Sequence, residues 1–378
     1  MCTSAGVEFG YALLWTLLLS IIATISLQEM AARLGLISKK DLASSIADVK
    51  LNRVVKGLVI VLVFSAIVIG NTAYEAGNIS GGALGLEILT GPIQLKLNNV
   101  SLRTAPLIIG LIAFFILWKG SIKSLQYILL GLVILMSMAF VTTAVITRPS
   151  FNGLTNGLLA FQMPEHSIFI IVGLIGTTVV PYNLFLHSAL VSKKWSSEHD
   201  LSTAQFDTFL AVILGGLVSM SVLVAAASID VEQVRSGADL ASALKPVFGS
   251  LAQYLMGFGL FSAGLTSAIT APLAAAFVVN GLTGKGSNTA SMIYKGVWIS
   301  VLLFGVIASS FNVKPVTLIM FAQVTNGLCL PIMAAILLWI MNSKRILGKY
   351  SNSIIQNAVG VIVFLITLML SYRMLHSV

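Results

Sequence analysis

The stretch GTTVVPYNLFLHSALV, residues 176–191, decides how the chain is read. It lies inside a longer apolar run that begins near Ile168, yet it holds Thr177, Thr178, Pro181, Tyr182, Asn183 and His187. Proline has no N–H, so the carbonyl four residues earlier, that of Thr177, loses its helical partner. In hydrocarbon such a bare carbonyl costs roughly several kcal/mol. A broken helix is therefore tolerated at membrane depth only when it is buried in protein or lines a wet cavity. Two readings are open: a break whose freed groups face a ligand, or a proline kink whose carbonyl is satisfied by a neighbouring threonine hydroxyl.

The rest of the chain supplies the membrane. Hydrophobic residues make up 57% and charged residues 9%, against roughly 25% charged in a soluble domain. Apolar runs of about 20 residues, the signature of a spanning helix, recur along the whole length. They fall near 10–30, 55–79, 104–119, 125–147, 167–192, 206–228, 249–281, 291–310, 315–341 and 353–374. The expected fold class is an all-α polytopic membrane protein with about ten transmembrane helices, one transmembrane domain over 1–378. The runs do not alternate in polarity, which excludes a transmembrane β-barrel. Cys2 and Cys329 form neither a disulfide framework nor a CxxC metal site.

The net charge of +9 is scattered over short loops, which fits membrane topology better than a nucleic-acid surface. One set of loops carries Arg33, Lys39, Lys40, Lys50, Arg53, Lys119, Lys123, Lys193, Lys194, Lys285, Lys344, Arg345 and Lys349. The alternate set carries only Lys96, Arg103, Arg148, Arg235, Lys245, Lys314 and Arg373, with Asp230, Glu232 and Asp239 beside them. The richer side is assigned to the cytoplasm, which puts the C-terminus outside. It also puts Met1 outside, although residues 1–8 lack the pattern of a signal peptide. One further helix upstream of Met1 is therefore expected. The segment KKDLASSIADVKL, 39–51, reads as a short interfacial helix, and 31–53, 80–103 and 229–248 as the longest hydrophilic connections.

Polar residues inside the spans narrow the chemistry. Asn71, Glu75 and Asn78 stand at i, i+4 and i+7, on one helix face. A carboxyl in a membrane segment points to function by default and could carry a proton; the alternative is that Glu75 snorkels to water at the end of its span. Gln323 and Asn326 share a face ahead of Pro331, where amides bind a substrate or join helices. Ser262, Thr266 and Thr270, with Ala263 and Gly264, read as small-residue helix packing. His187 follows Asn183 on one face and is either hydrogen-bonded structure or a proton relay. Lys193 and Lys194 suit the dipole at the end of that helix. Glu29 and Arg33, at i, i+4, read as an ion pair.

At this point a resemblance enters. GTTVVPYNLFLHSALV is similar to the sixth-helix signature of the Nramp family of proton-coupled divalent metal transporters, roughly A-T-V-M-P-H-N-L-Y-L-H-S-A-L. FGYALLWTLLL (9–19) with LQEMAARLGLISKKDLA (27–43) resembles that family's second helix and following loop. GLFSAGLTSAITAPLAAAF (259–277) resembles its eighth helix and FAQVTNGLCLP (321–331) its tenth. The resemblance covers essentially the whole chain. It implies a LeuT-like inverted-repeat transporter fold, eleven helices in the complete form, with the ten spans here matching the second to the eleventh. The first helix of that family carries an Asp-Pro-Gly-Asn motif that supplies metal ligands, and CTSAGVEFGYALLW begins just downstream of it.

Carried over position by position, the resemblance implies the following site. Thr177 stands where a backbone carbonyl binds metal, and Pro181 makes the break. Val180 replaces a ligand methionine, and loss of a soft thioether disfavours transition metals relative to harder Mg²⁺. Tyr182 replaces the first histidine of the motif, and His187 matches the second. Gln323 matches a glutamine able to join the metal shell. Glu75 matches an acid tied to proton passage, while Thr72 replaces an aspartate one turn before it. Lys194 stands where an arginine is frequent.

The expected function is secondary transport of a divalent metal ion into the cytoplasm across the plasma (inner) membrane, of manganese or iron type, or Mg²⁺ if the altered site favours harder ions, with protons as a candidate coupling partner. The metal is substrate, and no cofactor, nucleic acid or obligate protein partner is expected. The alternatives are transport of an organic solute such as an amino acid, and a truncated membrane protein that does not transport. No nucleophile constellation, phosphate loop or metal-hydrolase motif is present, so no enzyme is expected.

Overall fold

The computed structural model describes residues 1–378 except 51, 98–99, 121–122, 230, 232, 235, 285–288, 290, 312–313 and 377–378. Lys285, Asp230, Glu232 and Arg235, used above for topology, lie outside the described residues. The chain runs α1 (Cys2–Phe9), α2 (Leu14–Ser38), α3 (Leu42–Asp48), α4 (Arg53–Thr90), β1 (Gln94–Leu97), β2 (Val100–Arg103), α5 (Ala105–Lys119), α6 (Lys123–Ile146), α7 (Phe151–Leu159), α8 (Ile168–Thr178) and α9 (Pro181–Lys194). It continues through α10 (Leu201–Ala226), α11 (Gly237–Ser242), α12 (Lys245–Phe248), α13 (Leu251–Leu282), α14 (Met292–Ser310), α15 (Pro315–Met341), α16 (Lys344–Leu347) and α17 (Ile354–His376).

Among the described residues, nine helical segments are long and apolar enough to cross a membrane, with α8 and α9 counted as one, and the shorter apolar α5 makes the tenth. These fall on the ten runs read from the sequence. The largest difference is in α4. Its 38 residues reach about 57 Å at 1.5 Å per residue, so the helix passes position 79 and ends at Thr90. Ser80, Gly81, Gly82 and Gly85 fall in the stretch 80–103 expected as a hydrophilic connection, and each glycine costs a helix interior about 1 kcal/mol. Here they form a contact surface instead. A β-carbon on Gly264 of α13 would overlap the main chain of Gly82, and one on Gly85 would meet the backbone of Gly257, Leu260 and Phe261. Close backbone approach of this kind offsets the local cost.

The remainder of the 80–103 connection is a hairpin in which β1 pairs antiparallel with β2, Gln94 opposite Arg103. Arg103 is buried and binds Glu87 at 2.7 Å, which anchors the hairpin to the end of α4. The 39–51 segment forms α3, with the Asp41 carboxylate accepting from the Ser44 N–H at 2.8 Å as its N-cap.

The centre of the bundle is built by α2, α4, α8, α9, α13 and α15, whose inward faces hold Leu17, Leu27, Ile67, Leu174, Phe185, Ala274 and Leu337 nearly free of solvent. The outer helices turn large apolar side chains outward, among them Phe206, Leu214, Leu303, Phe304, Ile362 and Leu365. Such faces suit hydrocarbon, not water. Basic loops meet at one end. Arg33 binds the Tyr350 carbonyl at 2.8 Å, and Lys39 binds the Ser196 carbonyl at 2.8 Å. At the other end, the Trp15 indole donates to the Gln162 carbonyl at 2.8 Å, and Arg103 reaches the Ser309 carbonyl.

Candidate functional site

The opening stretch is two helices, not one bent helix. α8 ends at Thr178, and the Val179 N–H still reaches the Ile175 carbonyl at 2.9 Å. Val180 is extended, with φ −88° and ψ 120°. Pro181 then opens α9 from its first position, where the missing N–H is no loss, and the Asn183 N–H returns to the Val180 carbonyl at 3.0 Å. Among the described residues, no donor reaches the Thr177 carbonyl. The Thr178 hydroxyl donates to Leu174 at 3.1 Å, one turn further back. The threonine-satisfied kink is therefore not what is seen.

The break is held against α15. Gly176 touches the main chain of Gln323 and Gly327, and a β-carbon on Gly327 would stand 2.5 Å from the Val172 carbonyl oxygen. Two amides on this stretch of α15 carry buried atoms without a hydrogen-bond partner among the described residues, the Gln323 Oε1 and the Asn326 Nδ2. The Asn326 Oδ1 lies 3.9 Å from where a Gly70 β-carbon would be, so α4 closes the same region. Below the break, the Tyr182 ring packs on Tyr74 of α4 with centroids 5.6 Å apart and planes at 57°. Val180, Pro181 and Tyr182 are buried, and Thr177 is half-buried.

Glu75, next to Tyr74, does not snorkel. It is 0% exposed. The Asn78 amide donates to its Oε2 at 3.2 Å, and its Oε1 has no partner among the described residues. Asn71, on the same face, donates to the Ala271 carbonyl at 3.0 Å. Gly305 of α14 admits the Glu75 side chain: a β-carbon there would sit 2.5 Å from its Cγ.

His187 and Lys194 belong to a separate contact, along the α9–α10 seam. The His187 Nε2 is 3.1 Å from the Thr208 hydroxyl, and Lys194 pairs with the exposed Asp207 at 3.2 Å. Neither touches Glu75 or Tyr182. The structure thus brings Thr177, Val180, Pro181, Tyr182 and Gln323 to one region, with Glu75 one residue from the Tyr182 partner. Tyr74 was missed in the sequence because an isolated aromatic in an apolar helix gives no signal. Gly176 was missed because its role is a contact with a helix far away in sequence.

The donor set is neutral. Among the described residues, no group of three or more His, Cys, Asp or Glu side chains is placed to hold a metal ion. The groups near the break are amide oxygens and a main-chain carbonyl, ligands of hard-cation type.

These features define a class: a multi-pass membrane protein whose central spanning helix is broken inside the bundle, the LeuT-like inverted-repeat architecture. The chain belongs to the Nramp family, since residues 2–377 match the model of natural resistance-associated macrophage protein-like proteins. It is similar to the divalent metal cation transporter MntH of Aeromonas hydrophila, 27% identical over 364 residues that cover 94% of this chain and 86% of that protein. The protein of the same description from Yersinia enterocolitica is 25% identical over 385 residues, 99% of this chain and 89% of that one. The crystal structure of the Eremococcus coleocola manganese transporter shares the fold, with a TM-score of 0.74 at 19% identity over 98% of this chain and 81% of that chain.

Proposed function

We propose that the protein is a secondary transporter that moves a divalent metal ion across the plasma (inner) membrane into the cytoplasm, with its C-terminus outside. The observation that carries this reading is that, among the described residues, no donor reaches the Thr177 carbonyl at the helix break, one residue from where Gly176 meets the main chain of Gln323, whose buried side-chain oxygen also has no partner. Two oxygens left unsatisfied at membrane depth cost free energy unless a cation answers them. The metal is the substrate, and Thr177 and Gln323 are its ligands on this side of the site.

Val180 shapes the choice of ion. Its side chain is buried at the break and offers no donor atom. Without a thioether, the remaining oxygens favour a harder ion, so Mg²⁺ competes with Mn²⁺ and Fe²⁺. Glu75 is the carboxyl we assign to proton coupling, with Tyr74 and Tyr182 between it and the break. His187 and Lys194 stand further along the same helix, on the α9–α10 seam.

The test is uptake into proteoliposomes by the purified chain, with Mn²⁺, Mg²⁺ and a mixture of amino acids offered separately. Saturable divalent uptake that falls at least tenfold in Gln323→Ala supports the reading. Amino-acid uptake without metal uptake overturns it.

A further inference from the structure

A second site stands apart from the break, at the end of the bundle where the basic loops meet. A cleft of about 650 Å³ opens between the end of α2, the interfacial helix α3 and α16. Its charged lining is Lys40, Asp48, Lys50 and Arg345. Lys40 is neutralised by its ion pair with Asp48. Lys50 and Arg345 are exposed and, among the described residues, form no ion pair, so the cleft carries an unanswered double positive charge.

Ser45 supplies an independent observation. It lines the same cleft at 2% exposure, and among the described residues its hydroxyl has no hydrogen-bond partner. A buried hydroxyl without a partner costs about 1–3 kcal/mol, and a ligand acceptor reaching into the cleft removes that cost. The third component is apolar: Ile37, Val49 and Ile346 line the wall, with Ser38 and Ser343 completing it. The cleft lies where α2 and α15 end, at Ser38 and Met341, which is the level of the membrane interface.

A guanidinium, an ammonium and a hydroxyl donor beside an apolar wall match a phosphate that carries hydrocarbon. Basic pockets between spanning helices are suited to anionic lipid head groups. We propose that this cleft binds the phosphate of an anionic phospholipid, with Arg345 and Lys50 on the phosphate oxygens, the Ser45 hydroxyl donating to one of them, and the acyl glycerol against Ile37 and Ile346.

The experiment uses the full chain in detergent and native mass spectrometry with phosphatidylglycerol or phosphatidylcholine of identical acyl chains. We expect phosphatidylglycerol to be retained about tenfold more than phosphatidylcholine, a difference of about 1.4 kcal/mol. The preference disappears in the double variant Lys50→Ala/Arg345→Ala and persists in Lys50→Arg/Arg345→Lys. Both side chains are exposed, so an unchanged melting temperature certifies the fold of the double variant. Ser45→Ala weakens phosphatidylglycerol retention itself by at least about tenfold, the loss expected for one hydrogen bond to a charged acceptor. Equal retention of the two lipids, a preference that survives the double alanine variant, or phosphatidylglycerol retention untouched by Ser45→Ala overturns the site. Glycerol 3-phosphate binding as tightly as phosphatidylglycerol overturns the lipid as its occupant. None of these readouts involves metal transport, so they stand or fall separately from the proposed function.

Discussion

Gly176 and Gln323 meet main chain to main chain. A β-carbon on Gly176 would overlap the Gln323 carbonyl oxygen and lie 2.5 Å from the Gly327 nitrogen. This contact places the broken end of α8 against the helix that carries the candidate amide ligand. Gly176→Ala should push the two apart. We expect a loss of about 1–3 kcal/mol, typical of an overpacked contact, read as a lowered melting temperature in detergent, together with loss of metal uptake. Wild-type melting and uptake in this variant would remove the contact from the site.

The proposed function gives Val180 and Tyr182 the choice of ion. Restoring a thioether and an imidazole with Val180→Met and Tyr182→His should shift the Mn²⁺ over Mg²⁺ preference about tenfold towards Mn²⁺, or about 1.4 kcal/mol. Competition uptake with both ions measures it. Tyr182→His also loses the ring contact with Tyr74, worth about 0.5–1.5 kcal/mol, so a small drop in melting temperature accompanies the change. Unchanged selectivity would show that position 180 does not face the ion.

Glu75→Gln tests the proton assignment. The glutamine keeps the size of the side chain and a carbonyl acceptor for the Asn78 amide, so stability should change by no more than about 1 kcal/mol. Metal-driven uptake should lose its dependence on external pH, because the only carboxyl described in this layer can no longer bind and release a proton. An uptake profile with the wild-type pH dependence would exclude Glu75 as the carrier.

Arg33 is a structural arginine. It is 3% exposed and binds Glu29, the Tyr350 carbonyl, the Asn352 side chain and Gln356. Glu29 in turn accepts from Gln205 at 2.8 Å, so α2, α10 and the chain before α17 are tied at one point. Arg33→Ala leaves Glu29 with only part of its compensation and should cost about 3 kcal/mol, the usual scale for breaking a buried pair. Arg33→Lys should recover only part of it, since an ammonium cannot hold the same fork of acceptors. Melting curves of the two variants against wild type decide this.

The spans were legible because bilayer burial demands long apolar runs, and such runs survive any detail of packing. The break was legible for a similar reason: Pro181 acts through its own chain, on a carbonyl four residues away. The extension of α4 to Thr90 was not legible, because Gly82 and Gly85 make sense only against helices distant in sequence, chiefly α13. Nor was the hairpin of β1 and β2, a short pairing anchored by a buried arginine.

What the sequence determined by itself is local: which segments cross the membrane, where one of them must break, and which polar residues are costly at that depth. Tertiary structure alone decided which costs are met. It buried Glu75 with one oxygen satisfied by Asn78 and the other left open. It turned His187 towards Thr208 and away from the break. Among the described residues it left the Thr177 carbonyl without a donor, one residue from where Gly176 meets the Gln323 main chain. The physical reason is that hydrophobicity and a missing N–H belong to a residue, whereas the satisfaction of a hydrogen bond belongs to a pair, whose members here range from one turn of a single helix, Glu75 with Asn78, to helices 200 residues apart, Asn71 with Ala271.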